Sequence, residues 1–209
     1  MKKTIYIIVF LFALSAVVKG QAPVAWPASI PIEFTVEEIL RVNVTSGGNI
    51  EFIFTNMNQY NSGISNSGFY NTSIQIASSS NWQLNFGADG GFLFGTDDPT
   101  NQMLLDNVGY MITTPGAPTN PISSGPPANG TQLMNSADVA PEGLVPFPFI
   151  LMNPVGTGNP GDVTDNNFTF NWECGTQAGT MNGNSLLKQV LPLKSDRYIT
   201  TVLLEIIAL

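Results

Sequence analysis

The closing stretch, Asp196–Leu209, has no glycine or proline, is rich in β-branched side chains and stays apolar to its last residue. Tyr198, Val202, Leu204 and Ile206 recur at period two on one face, and Ile199, Leu203 and Ile207 on the other. A strand apolar on both faces is normally buried on both. The sequence therefore predicts that this segment is held inside the fold or inside a neighbour, with Tyr198, Val202, Leu204, Ile206 and Ile207 as its assembly residues. Everything upstream reads as the other strands of the same sheet system.

The beginning has a different character. Lys2 and Lys3 precede an apolar run from Thr4 to Val18, and Gly20 before Gln21 is a small-residue cleavage point. Residues 1–20 read as a secretory signal peptide, because the run is short for the roughly 20 residues that cross a bilayer. Export by a Gram-negative bacterium follows as the expectation, to the periplasm, the outer membrane or the medium, with no transmembrane span after cleavage. Residues 21–209 are expected to form a single β-sandwich domain. Its N-terminal lead-in, 21–31, is kept extended by Pro27 and Pro31.

Between the ends, alternation recurs at about ten-residue spacing, the sign of a sandwich or Greek-key barrel. Ile32, Phe34 and Val36 alternate, the phase breaks at Glu37-Glu38, and Leu40, Val42 and Val44 resume it. A bulge at the break is the economical reading. Ser46–Asn49 then reads as a turn into Ile50, Phe52 and Phe54, predicting a hairpin. Ile74 and Ile76, then Trp82, Leu84 and Phe86, mark two further strands, and Phe168, Phe170 and Trp172 form the clearest alternating strand of all. Residues 56–68 read as a polar loop and 115–130 as a proline-rich excursion. Residues 131–134 and 149–152 read as edge strands, and Met181–Leu187 as a short helical turn. The fold class is all-β: an Ig-like or jelly-roll antiparallel β-sandwich with long Pro/Gly/Asn-rich loops.

Composition narrows the function. Loss of the signal leaves Arg41, Lys188, Lys194 and Arg197 as the basic residues, against 15 acidic ones. Nucleic acid is excluded as a partner, since phosphate binding needs clustered Lys and Arg. Charged residues make up only 11% of the chain, where about a quarter is usual; a neutral polar surface suits subunits that assemble side by side. Cys174 has no second cysteine to pair with in the chain. It reads as a small buried hydrophobe. With no histidine, Ser-His-Asp and Cys-His nucleophile systems are ruled out.

Three chemistries remain as candidates, each with a plainer rival. Asp97 and Asp98, and Asp162 and Asp165, lie in oxygen-rich loops that could hold a structural Ca²⁺. Neither loop has calcium-motif spacing, and Asp and Asn are also the usual turn formers. Trp26 and Tyr60 sit in loop-like contexts where an exposed ring could stack on a sugar, whereas Trp82 and Trp172 are in phase with core residues. Glu37-Glu38 and Asp97-Asp98 are adjacent acids, which point to opposite faces of a strand and make no catalytic couple.

The Ser80-Asn81-Trp82-Gln83-Leu84 strand, the later Asn167-Phe168-Thr169-Phe170-Asn171-Trp172 and the closing Tyr198, Thr200, Val202, Leu204 and Ile206 together resemble secreted-pilin domains of the spore-coat-U type and related Bacteroidota surface proteins. The Gly-x-Tyr that commonly opens the final strand there is absent from Ser195-Asp196-Arg197-Tyr198, as are the cysteines of some pilins. The resemblance implies an Ig-like sandwich, extracellular assembly and no catalysis. The expected function is a non-catalytic structural subunit that associates with itself or with other envelope proteins. The alternative is a carbohydrate-binding or adhesion module, with glycans as ligands.

Overall fold

Period-two patterning becomes two packed antiparallel layers with their apolar sides turned inward. The computed structural model describes residues 33–66, 68–113, 141–154, 158–189 and 193–209. The signal segment, the lead-in with Trp26, the proline-rich stretch and the expected strand 131–134 lie outside them. The chain divides into two compact units, Met1–Val36 and Glu37–Leu209. Of the first, only residues 33–36 are described, as exposed irregular chain.

In the second unit the larger sheet contains β1 (Leu40–Ser46), β2 (Asn71–Ser78), β6 (Val108–Thr113), β7 (Glu142–Gly143) and β9 (Asn167–Cys174), in the order β1-β2-β9-β6-β7. The facing sheet contains β3 (Trp82–Ala88), β8 (Phe149–Met152) and β11 (Val202–Ala208), ordered β11-β3-β8. A small third sheet joins β10 (Tyr198–Ile199), β4 (Phe92–Gly95) and β5 (Gln102–Leu104). The structure is thus an all-β sandwich. A six-residue helix, α1 (Met57–Ser62), interrupts the expected loop, started by the Asn56 side chain accepting from the Gln59 N–H at 3.1 Å.

The core forms where the alternation is strictest. Ile74 and Ile76 of β2, Leu84 and Phe86 of β3, and Phe168 and Phe170 of β9 are all buried between the layers. Trp82 is buried too, and a single asparagine acts as its strand partner. Asn159 accepts from the Trp82 main-chain N–H at 2.9 Å and donates to its carbonyl at 2.8 Å, while its own carbonyl takes the indole N–H at 2.7 Å. On the side of β3 away from β11, a fully buried backbone segment is thereby satisfied without a neighbouring strand.

Four expectations are corrected. The chain from Ile50 to Phe54 does not return along β1 as a hairpin; β1 pairs with β2, and residues 50–54 belong to no sheet. Gly47, at φ 68°, explains this: a Cβ there would lie 1.8 Å from the Asn71 carbonyl oxygen, and the Thr72 hydroxyl donates to the Gly47 carbonyl at 2.6 Å. The chain is pinned as it passes over the start of β2 and is carried away from β1. The register shift falls between Val44 and Ser46 rather than at Glu37-Glu38, which precede the strand. Residues 181–187 form turns, with no helix. Finally, the terminal segment is two strands in two sheets, β10 and β11, and β11 is an edge strand. Leu204 and Ile206 are half-buried on its inner face, but Ile207 remains 39% exposed and Leu209 60%. Apolar residues on both faces therefore do not bring burial on both within this fold, which leaves of the expectation only burial inside a neighbour.

β11 pairs with β3 along its whole length, from Val202 opposite Ala88 to Ala208 opposite Trp82. Removing it strips the cover from Trp82, Leu84 and Phe86 together with half of their ladder. Each buried apolar side chain contributes about 1.5–3 kcal/mol, against a net stability of roughly 5–15 kcal/mol. Truncation after Thr201 is expected to give an unfolded, aggregating or proteolysed product. A soluble truncated chain with an unchanged melting temperature would show instead that β11 is dispensable.

Candidate functional site

The sandwich is closed at its centre and open along one side. Val42 and Val44 of β1 pair with Ile76 and Ile74, so they share the core-facing side of the larger sheet. Ile74 and Ile76 are fully buried, yet Val42 is 37% and Val44 45% exposed. Across from them β11, the last strand of the facing sheet, comes into contact with β1. Neither strand has a partner on its second edge among the described residues. Two free ladders therefore flank an apolar opening, the arrangement that accepts a further strand.

The strand order says what belongs there. An immunoglobulin sandwich places strands A-B-E-D in one sheet and C-F-G in the other. Taking β1, β2, β3, β6, β9 and β11 as A to F, the order β1-β2-β9-β6 is A-B-E-D, and β11-β3 is F-C. No described strand occupies the place of G beside β11.

A cavity of about 850 Å³ continues inward from this side. Phe86, Phe170 and Trp172 line its depth, and the segments 47–54 and 193–202 its mouth. Ile50, Phe52 and Phe54 turn toward the core, with Phe52 4.4 Å from the Tyr70 ring and Phe54 5.3 Å from Tyr60. Tyr60, expected to be a free stacking platform, is thus half-buried in the cavity wall. Cys174 also lies against the cavity, buried; burial, reinforced by the Glu173 charge, pushes its thiol up to about 12. It is a thiol at neutral pH and a poor nucleophile.

Three of the four acids of the two candidate calcium loops, Asp98, Asp162 and Asp165, are turned onto their own backbones, while Asp97 takes part through its main-chain N–H, which donates to Asp196. Asp98 accepts from the Thr100 hydroxyl at 2.6 Å and its N–H at 2.9 Å; Asp162 does the same for Thr164, both at 2.7 Å. Asp165 accepts from the Asp162 N–H at 3.0 Å. Among the described residues no group of three or more acidic or cysteine side chains is placed to hold a metal ion. These carboxylates act as turn caps.

Asp196, which sequence reasoning passed over, is the polar hub of the cavity mouth. Its carboxylate accepts from the Asn101 amide at 2.8 Å and from the main-chain N–H groups of Asp97, Asp98 and Arg197 at 3.0, 3.2 and 2.7 Å. It ties the β4–β5 loop to the start of β10. An aspartate just before a strand, 95 residues from the asparagine it binds, left no local signal. No protein-family model and no curated protein matches the chain.

The Asn101 amide and then the Asp97 N–H hold the Asp196 carboxyl down at about 2; Thr100 lowers Asp98 in the same way. A depressed carboxyl stabilises the fold above its unfolded value of about 3.9, and that contribution is lost as pH falls through the folded value. The melting temperature is therefore expected to fall between about pH 4 and pH 2. Asp196→Asn is expected to melt lower at pH 7 and to show a shallower fall across that window. A variant with the wild-type pH profile would show that the hub contributes nothing.

Proposed function

We propose that this protein is a non-catalytic structural subunit of an extracellular or envelope assembly, completed by a strand that another chain inserts beside β11. The observation that carries the reading is the solvent exposure of Val42 and Val44 on the core-facing side of β1, next to the unpaired edge of β11. An inserted strand would cover both valines and satisfy the exposed ladder. The A-to-F order, with no strand in the place of G among the described residues, supports this. The resemblance to secreted-pilin domains agrees with it, as does the signal-like N-terminus. The lack of histidine, and the use of the Asp98, Asp162 and Asp196 carboxylates as backbone caps, support a role without catalysis.

The test is assembly of the full secreted chain. Light scattering behind size exclusion is expected to show species larger than a monomer, or an envelope protein that copurifies. The Val42→Lys/Val44→Lys variant places two ammonium groups in the opening and is expected to stay monomeric and partnerless, with a melting temperature within a few degrees of wild type. A wild-type chain that is monomeric at every concentration without an envelope partner would overturn the proposal. So would assembly that the double variant leaves unchanged.

A further inference from the structure

The outward side of the larger sheet is built differently from its edges. Asn43 of β1, Gln75 of β2 and Asn167 of β9 are direct register partners and form one row across three strands. Ser73, Thr169 and Thr113 form the next row, across β2, β9 and β6. Asn71 and Asn171 stand in a third, which ends at Met111 of β6. Neighbouring strands lie about 4.8 Å apart and alternate residues about 6.7 Å along each strand, so amides and hydroxyls occupy a regular two-dimensional grid.

Two properties separate this grid from an ordinary wet sheet face. It holds no charge within its rows: Arg41 stands at one corner, and Glu173 at the far end of β9 is buried and takes the Thr176 hydroxyl. It is also partly pre-ordered. Ser73 and Thr169 share a hydrogen bond at 3.2 Å, and the Asn171 amide donates to the Thr113 hydroxyl at 2.9 Å. In the first row, by contrast, the side-chain amides of Asn43, Gln75 and Asn167 bond to no other described protein group. Each offers both donors and an acceptor to an outside partner. At the end of the face, two residues before Asn71, Phe69 is 85% exposed, while its neighbour Tyr70 packs inward on Phe52.

We infer that this face binds a neutral polysaccharide chain. Sugar hydroxyls both donate and accept, as the free amides do, and their spacing along a chain lets one strand of sugar cross several rows. The apolar face of a sugar ring suits an exposed aromatic such as Phe69. Charge complementarity points the same way: an anionic polymer meets only Arg41 on a protein whose net charge is −8, and a cationic one finds no carboxylate in the rows. The site lies on the sheet's outer side, and the residues that its test alters, Gln75 of β2, Asn167 of β9 and Phe69, are on neither the β1 nor the β11 edge, so its test does not depend on assembly.

The full secreted chain is tested by depletion against cellulose, chitin, xylan, mannan and laminarin, with alginate as the anionic comparison. Binding to at least one neutral glycan is expected, and none to alginate. Gln75→Glu with Asn167→Asp keeps the side-chain shapes while adding charge and removing donors; it is expected to weaken that binding at least tenfold, as is Phe69→Ala. Gln102→Glu, on exposed β5, is expected to leave it unchanged, and all variants to melt within a few degrees of wild type. Failure to bind any of the neutral glycans, preference for alginate, or undiminished binding by the Gln75/Asn167 double variant would each overturn the inference.

Discussion

Phe86 of β3 lies 5.2 Å, centre to centre, from Phe170 of β9 in a near-parallel stack, and Phe170 lies 5.6 Å from Trp172 on the same strand. Tyr110 of β6 closes the group at 4.8 Å from Phe86. These rings are the bolt between the layers: large, apolar and in the geometries that aromatic quadrupoles favour. β9 stands between β2 and β6, and β3 between β11 and β8, so the bolt joins the middle of one sheet to the middle of the other. Its one indole inside the group is satisfied, since Trp172 donates its ring N–H to the Thr72 hydroxyl at 2.9 Å. That hydroxyl in turn holds Gly47, and so sets where the chain goes after β1.

Burial falls away from this centre toward one side. The inner face of β2 is dry and that of β11 half-buried, while on β1 Val42 and Val44 are partly exposed, although all three strands turn apolar side chains inward. The central strands hold the sandwich together, leaving the edges, the cavity mouth and the polar outer face as surfaces that folding does not consume. Asp196 belongs to the mouth rather than the core. It can organise four donors because it remains near water, where a carboxylate pays little desolvation.

How much of this was legible in the sequence depends on how local its cause was. Trp82, Phe168, Phe170 and Trp172 could be placed in the core because burial on one face writes period two directly into the chain. The same pattern in Ile50, Phe52 and Phe54 misled, because burial on one face needs no ladder; the segment packs inward yet pairs with nothing described. β11 misled in the opposite direction, its outer Leu203 and Ile207 being apolar without being enclosed. Asn159 left no trace at all. An asparagine in a Gly/Pro/Asp-rich loop reads as a turn former, and its partner Trp82 is 77 residues away. The open side was equally illegible, because exposure belongs to the arrangement of strands and not to any one of them.

The edges that β1 and β11 leave open among the described residues carry few of the devices that keep a β-edge unpaired. A free β-edge is a template for unwanted pairing, and it is commonly blunted by lysines, prolines, inward-pointing charges or a covering loop. β1 carries Arg41 alone and β11 carries Glu205 alone. The Glu205 carboxylate is engaged by the Asn85 amide at 2.9 Å, which directs it back over its own sheet. Neither edge contains lysine or proline; β11 keeps an unbroken register along β3, while in β1 the register shifts between Val44 and Ser46. An edge with few such guards is a hazard unless something covers it. The low charge of these two strands, which leaves the usual guards few, is what the proposed pairing with a further strand requires, since a lysine or an inward-pointing charge on either edge would oppose it.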